Sequence, residues 1–527
     1  MKTSTKYAIA LTASLGMIMG ILDNTIINIA LIPIANDLKV ELNLVQWLVT
    51  GYFLSQAAVI PVAGYLGNRF GTRRLFILCV ILFTAGSLLC GLAQDATLLI
   101  IFRVIQGIGA GALFPVAQTL ALDPFAPSER ASAMAVVGVP ILLGPVFGPI
   151  LGGWLNDSFG WHYLFLINVP IGILTVILTL QIIPRDKTVE KREESRFDYI
   201  GLVLSILGVL AIVYAFTIVN EIDPATRTAL NPQGVAYGWG YWLVWALAGA
   251  GVLLLAVFSL YELRYSPDPV LDLRLFKKYN FTIASLLSWV LSATVFGSLL
   301  LLPIFLQQVR LPHLTALETG LALMPQGLGA TIGVALSGPL YNRLGVRVLS
   351  LVGSILLIIS LWQLSSLTVT TDGWTLAPWQ FMLGLGLGLT LIPTQTLALQ
   401  ALRGPALAKA NSLFNVTRQI VSSVATAVII TLLVQSTTSH INTLQAEALR
   451  NLPPGTKIDP TSPQAQAAIG QMVAQAGTAA NNDVFLILAI ATSVVLVLAL
   501  ALPGRKKQAE QAALEGEGNA EPLISLG

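Results

Sequence analysis

Apolar runs recur from one end of the chain to the other, separated by short charged or Pro/Gly-containing breaks. A bilayer core of about 30 Å needs about 20 residues of helix at a rise of about 1.5 Å each. Runs of that length predict fourteen membrane-spanning helices, near residues 7–33, 45–66, 74–94, 97–122, 131–154, 161–183, 197–219, 240–262, 281–308, 317–341, 347–367, 376–401, 408–435 and 482–503. Pro184 to Asp198 mixes both signs of charge and reads as a solvated linker, and the charged tail from Arg505 as flexible. Residues 436–481, rich in Gln, Ala, Ser and Asn, read as a long external loop with room for short amphipathic helices. The first run, Tyr7 to Leu31, is longer than a signal-peptide core and carries Asp23, so it is expected as a retained helix.

Composition agrees with a lipid solvent: 55% of the 527 residues are apolar and 10% charged, against about 45–50% and about 25% in soluble domains. The net charge of +3 gives no reason to expect a nucleic-acid partner. An even helix count puts both termini on one side. That side then holds 22 of the 29 Lys and Arg, the other side 5, and Arg103 and Arg418 lie within the membrane. The positive-inside rule makes the termini cytoplasmic and the protein multi-pass in the cell membrane. Cys79 and Cys90 lie about 16 Å apart along one helix, too far for a disulfide, and no metal-ligand spacing occurs.

The chain repeats itself. Gly64-Tyr-Leu-Gly-Asn-Arg-Phe-Gly-Thr-Arg-Arg-Leu75 returns as Gly338-Pro-Leu-Tyr-Asn-Arg-Leu-Gly-Val-Arg-Val-Leu349, with seven of twelve positions identical. Gln118-Thr-Leu-Ala-Leu122 returns as Gln395-Thr-Leu-Ala-Leu399, each after a Gly-rich helix. The offsets of 274 and 277 residues leave eight helices between copies, hence six in each half and two between. The expected architecture is all-α: a six-helix bundle over 1–183, a linker with two extra helices over 184–280, a second six-helix bundle over 281–503 and a tail over 504–527. Parallel six-helix repeats are a transporter plan, with substrate bound near the midplane between halves.

The loop Gly64 to Leu75 resembles the signature Gly-x-Leu-x-Asp-Arg-x-Gly-Arg-Arg/Lys of the major facilitator superfamily. Arg103-Val-Ile-Gln-Gly-Ile-Gly-Ala-Gly111 resembles its fourth-helix motif, and Gly144-Pro-Val-Phe-Gly-Pro-Ile-Leu-Gly-Gly153 its fifth-helix antiporter motif. Leu22-Asp-Asn-Thr-Ile-Ile-Asn-Ile-Ala30, Trp161-His-Tyr-Leu-Phe-Leu-Ile-Asn-Val-Pro-Ile-Gly172 and Asp268-Pro-Val-Leu-Asp-Leu-Arg-Leu-Phe276 resemble the EmrB/QacA subfamily of fourteen-span drug:proton antiporters. The resemblance runs from about residue 15 to 503. It implies the major facilitator fold and a cytoplasmic gate made by Gly64, Asn68, Arg69, Gly71, Arg73, Asn342 and Arg343. The loop Asp of the family is Asn68 here and Asn342 in the second copy, which removes a charge from the expected latch.

Asp23 is the one acid that the pattern places deep in the membrane. A carboxylate there costs at least about 2.5 kcal/mol, so it is expected to face a cavity and to have a partner. Arg103 is the natural one. The pair reads either as a proton-coupling site or as a structural bridge, and the family's fourth-helix Arg implies the former. Asn411, Asn415, Arg418 and Ser422 form a polar stripe at helical spacing, which faces either a substrate cavity or another helix. Gln118, Gln326, Gln395 and Asn28 are further cavity candidates, with bonding to neighbouring backbone as the plain alternative. Gly144, Pro145, Gly148, Pro149, Gly152 and Gly153 read as a hinge and seal for alternating access.

The expected function is proton-driven efflux of small lipophilic compounds, neutral or weakly charged and including drugs, with protons as coupling ion and no other cofactor. Export of one dedicated metabolite, antibiotic, peptide or lipid is the alternative, and a non-transporting receptor a third. A membrane enzyme finds no phosphate loop, nucleophile elbow or metal site in the sequence. The lipid bilayer and a small-molecule substrate are the expected partners. The resemblance adds a periplasmic adaptor for some relatives, which no segment here reports.

Overall fold

The computed structural model describes residues 3–40, 42–125, 144, 147–185, 198–219, 222–223, 235–265, 271–399, 404–451 and 463–504. They form helices α1 (Thr3–Leu38), α2 (Leu42–Phe70), α3 (Thr72–Gly91), α4 (Ala96–Leu122), α5 (147–159), α6 (His162–Leu166), α7 (Asn168–Ile182), α8 (Tyr199–Ile218) and α9 (Trp242–Arg264). After them come α10 (Tyr279–Ile304), α11 (Ala316–Leu364), α12 (Ala377–Leu399), α13 (Gly404–Asn451) and α14 (Pro463–Ala501). The short strands β1 (Ile222–Asp223) and β2 (Val235–Ala236) pair antiparallel between α8 and α9. Among the described residues, twelve helical segments are long and apolar enough to cross a membrane. In lipid every backbone N–H and C=O must be satisfied within the chain, which a helix does by itself.

The repeat reappears as geometry. Gly71, between α2 and α3, has φ 91°, and Gly345, inside α11, has φ 80°. This left-handed region strains any residue with a Cβ, so both copies of the loop motif need glycine at the same step. At Gly345 the backbone turns between two spans, Ala316–Tyr341 and Arg343–Leu364, that continue as one helix element.

The Gly-rich helices match in the same way. In α4, Gly107 and Gly111 press on α2 at Tyr52 and Gln56, while Gly109 presses on α3 at Phe83. In α12, Gly384 and Gly388 press on the first span of α11 at Gln326 and Ala330, while Gly386 presses on the second at Gly353. A methyl group at Gly109 would stand 2.5 Å from the Phe83 nitrogen, and one at Gly388 would stand 2.5 Å from the Ala330 carbonyl oxygen. Small residues at these steps let helix backbones pack where apolar burial alone gives no drive.

Helices α8 and α9 pack on each other and lie outside the rest. Val209 and Val213 of α8 cluster with Leu54 of α2 and with Ile420 and Val424 of α13, and the Thr431 hydroxyl donates to the Phe216 carbonyl at 3.1 Å. The pair thus covers the seam between α2 and α13.

Residues 436–451 and 463–481, expected as an external loop, are instead helical continuations of α13 and α14. Their Ala, Gln and Leu have high helix propensity, and no glycine or proline stops α13 before Pro453. With 48 and 39 residues, these helices run about 72 and about 58 Å, well beyond a bilayer core. The expected sixth helix is also divided, with a break at Ile167 between α6 and α7.

Candidate functional site

Asp23 lies on α1, 3% exposed, and Arg103 on α4, 0% exposed. Arg103 Nη1 donates to Asp23 Oδ2 at 2.6 Å. Gln106, one turn along α4, donates from Nε2 to Asp23 Oδ1 at 2.9 Å and accepts from Arg103 Nη1 at 2.9 Å. Asn168, at the start of α7, donates to Asp23 Oδ1 at 3.3 Å and to the Ser87 hydroxyl oxygen at 3.1 Å. Arg103 Nε reaches the Leu48 carbonyl at 3.2 Å, and its guanidinium lies 4.0 Å from the Tyr52 ring centre. The buried carboxylate thus receives three donors, so its hydrogen bonding is shared among Arg103, Gln106 and Asn168 rather than left to one cation.

The expected partner is therefore present, and among the described residues Asp23 lines neither of the two inter-helix spaces described below. Asp23 bonds to residues of α4 and α7, whereas Gly20, Ile21 and Asn24 of the same turn line an open space of 190 Å³ on a different face of α1. At 100° per residue, neighbours on one helix face different surroundings. Sequence reasoning did not single out Gln106 or Asn168, although Gln106 sits on the face of Arg103 at i+3.

A larger cavity of 480 Å³ lies between α1, α4 and α5 on one side and α10 to α13 on the other. Gln118, Gln326, Gln395, Asn415 and Arg418 all line it, so five of the seven cavity candidates share one space. Its other walls are mostly apolar, including Phe114, Val295, Leu323 and Leu391, with Thr25, Thr331 and Thr396 among them. Asn411 instead joins the halves: its Nδ2 donates to Gln118 Oε1 at 3.3 Å, and it accepts from Asn415 at 3.0 Å. Ser422 bonds back to the Arg418 carbonyl at 2.9 Å. The side chain of Asn28 lies outside the described residues.

Gly144 and the glycines of α5 serve two neighbours. Gly144, Gly148 and Gly152, spaced by four, abut Ile21, Thr25 and Ile26 of α1, while Gly153 abuts Ala316 and Leu317 of α11, with a methyl there only 2.5 Å from Leu317 Cα. Pro149 meets Gly320 through its carbonyl. Asp157 Oδ2 accepts from the Leu317 N–H at 2.8 Å, so an acid of α5 satisfies a free donor in the first turn of α11. This closes the halves together at the end of the molecule carrying Trp161. Pro145 lies outside the described residues.

At the opposite end, Arg73 donates to the Leu180 and Thr179 carbonyls at 2.9 and 3.4 Å, occupying the last turn of α7. Gly64 is helical within α2 and Arg343 is exposed. The side chains of Asn68, Arg69 and Asn342 lie outside the described residues. Among those described, no three His, Cys, Asp or Glu side chains converge on one point.

Residues 13–426 match the sequence profile of the Major Facilitator Superfamily. The chain belongs to that superfamily and is a multi-pass membrane protein. Similar chains include the multidrug resistance protein B homolog of Mycobacterium tuberculosis H37Rv, 36% identical over 421 residues, or 80% of this chain and 74% of that one. The multidrug export protein EmrB of Escherichia coli K12 is 32% identical over 460 residues, covering 87% and 84%. Among solved structures, an auto-inhibited peptide transporter of the POT family superposes with a TM-score of 0.61 at 12% identity, covering 99% of both chains. A bacterial homologue of the lysosomal transporter Spinster gives 0.59 at 16%, covering 99% and 100%. At such identities these two show the shared fold alone.

Proposed function

We propose that the protein is a fourteen-span, proton-coupled exporter of small lipophilic compounds, multidrug in range, with Asp23 as proton carrier. The observation that carries this reading is the placement of α1 between two sites. One face of α1 holds Asp23 in the buried knot, and the other supplies Ile21 and Thr25 to the 480 Å³ cavity. The kinship with multidrug exporters supports the same direction. The count of fourteen adds α2 and α5 to the twelve spans above, and the termini are placed in the cytoplasm with the Gly71 end.

In this cycle a proton arriving from outside neutralises Asp23 and weakens its hold on Arg103. Gln106 and Asn168 keep hydrogen bonds available to the neutral acid, so the knot loosens without leaving polar groups bare. The movement of α1 re-forms the cavity walls and releases substrate outward. Loss of the proton to the cytoplasm restores the ion pair and the substrate-accepting state. Proton and substrate thus compete through the position of one helix rather than for one carboxylate.

A cavity of 480 Å³ with mostly apolar walls suits a compound of a few rings. The experiment is substrate-induced proton flux in proteoliposomes. Wild type is expected to release protons when a lipophilic substrate is added, and Asp23→Asn to bind substrate without moving protons. Wild-type exchange by Asp23→Asn sinks the mechanism.

A further inference from the structure

Among the described residues, the lining of the 480 Å³ cavity contains one formally charged side chain, Arg418, and no carboxylate. The adjoining 190 Å³ space shares Arg418, Asn415, Phe114 and Ile21 with it and also contains no acid. Asp23 offers no balance, being turned away into its own ion pair. Among the described residues, the Arg418 guanidinium makes neither an ion pair nor a hydrogen bond. Its near neighbours on α13 are occupied elsewhere: Asn415 gives its amide N–H to Asn411, and Ser422 binds only the Arg418 backbone carbonyl. A guanidinium at membrane depth carries five donors and a full charge, and such groups pair with an anion or line a polar path.

A second polar group is also left open. The Ser298 hydroxyl donates to the Val295 carbonyl, so its oxygen receives Gln326 Nε2 at 3.2 Å. That fixes the orientation of the amide and leaves Gln326 Oε1 buried with no donor. The cavity therefore presents a cation on α13 among mostly apolar walls, with the unfilled Gln326 acceptor buried behind its lining.

We propose that Arg418 is an anion subsite, and that the preferred cargo is a lipophilic anion: a carboxylate, sulfonate or phenolate on an apolar body. The inference rests on the efflux reading above and narrows its substrate class. Charge also gives such cargo a direction, because an inside-negative membrane potential drives an anion outward.

The test uses the full chain in lipid nanodiscs with three naphthalene probes of similar shape: 2-naphthalenesulfonate, 2-naphthylmethanol and 2-naphthyltrimethylammonium. Dissociation constants are measured calorimetrically, with empty nanodiscs subtracted, for wild type, Arg418→Gln and Arg418→Lys. Wild type is expected to bind the sulfonate tightest and the ammonium weakest. A charge-assisted contact of this kind predicts a loss of about tenfold to a hundredfold for the sulfonate in Arg418→Gln, with the neutral alcohol unchanged. Arg418→Lys keeps the charge without the planar fork and should lose less. Equal binding of sulfonate and alcohol, unmoved by Arg418→Gln, overturns the anion subsite and leaves the efflux reading standing. Failure of wild type to bind any of the three overturns both.

Discussion

Gln106 holds Asp23 from the side that Arg103 leaves open: its Nε2 lies 2.9 Å from Asp23 Oδ1 while its Oε1 accepts from Arg103 at 2.9 Å. One amide thus touches both members of the ion pair. It can donate to the carboxylate whether or not the salt bridge is intact, which separates the acid's hydrogen bonding from its charge partner.

This arrangement makes the two roles of the pair separable. Asp23→Asn or Arg103→Gln alone leaves an uncompensated or poorly paired polar group, and Arg103→Gln in particular strands a buried carboxylate, at a cost of about 3–5 kcal/mol. The double variant removes both charges and is expected to recover most of the thermal stability of the purified protein. Proton release on substrate addition should stay absent in it. Recovery of exchange together with stability would make the pair structural.

Gln106→Leu removes a donor from Asp23 and an acceptor from Arg103 in one step. The expected loss is about 1–3 kcal/mol. A double-mutant cycle with Asp23→Asn should return a coupling of about 0.5–3 kcal/mol, because the residues are in direct contact. Simple additivity in the melting data would contradict the bridging geometry.

The loop glycines give a stability prediction independent of transport. Gly71→Ala and Gly345→Ala each force a Cβ into a left-handed φ, at a cost of about 1–2 kcal/mol. The two sites share no contact among those above, so the costs should add in thermal unfolding of the detergent-solubilised protein. An unchanged midpoint for either variant would mean that the backbone there is not held in that conformation.

The sequence made the Asp23–Arg103 pairing legible because a charge in lipid must find its opposite, and few were available. It also showed the repeat, since Gly71 and Gly345 must be glycine for a backbone reason. The face on which Asp23 lies was not legible: Asp23 and Asn24 are one residue apart and meet different surroundings, and only packing against Ser87, Gln106 and Asn168 decides which goes where. Gln106 and Asn168 went unnoticed because neutral polar residues in membrane helices have many uses. Asp157 was not singled out, because its partner, a backbone N–H 160 residues away, leaves no side-chain signature. The helical extensions of α13 and α14 are rich in Gln, Ser, Thr and Asn, so their polarity reads as loop although Ala, Gln and Leu also favour helix.

Two cross-half contacts at opposite ends predict opposite shifts in which side is open. Asp157 fastens α5 to the first turn of α11 at the Trp161 end, at 2.8 Å, and loss of such a cap is worth about 1 kcal/mol. Asn411 fastens α13 to Gln118 of α4 at 3.3 Å toward the other end, a longer neutral bond worth about 0.5–1.5 kcal/mol. Asp157→Ala should therefore favour conformations open at the Trp161 end by roughly fivefold, and Gln118→Ala should favour those open at the Gly71 end by a similar or smaller factor. Spin labels on α5 and α11, and separately on α4 and α13, would report the two openings as longer distances in electron-electron resonance. Gly153→Ala, which pushes a methyl group toward Leu317, should shift the populations in the same direction as Asp157→Ala. The sign is the critical point: a shift of both end variants in the same direction would mean that these contacts hold the fold together rather than choose which end is closed.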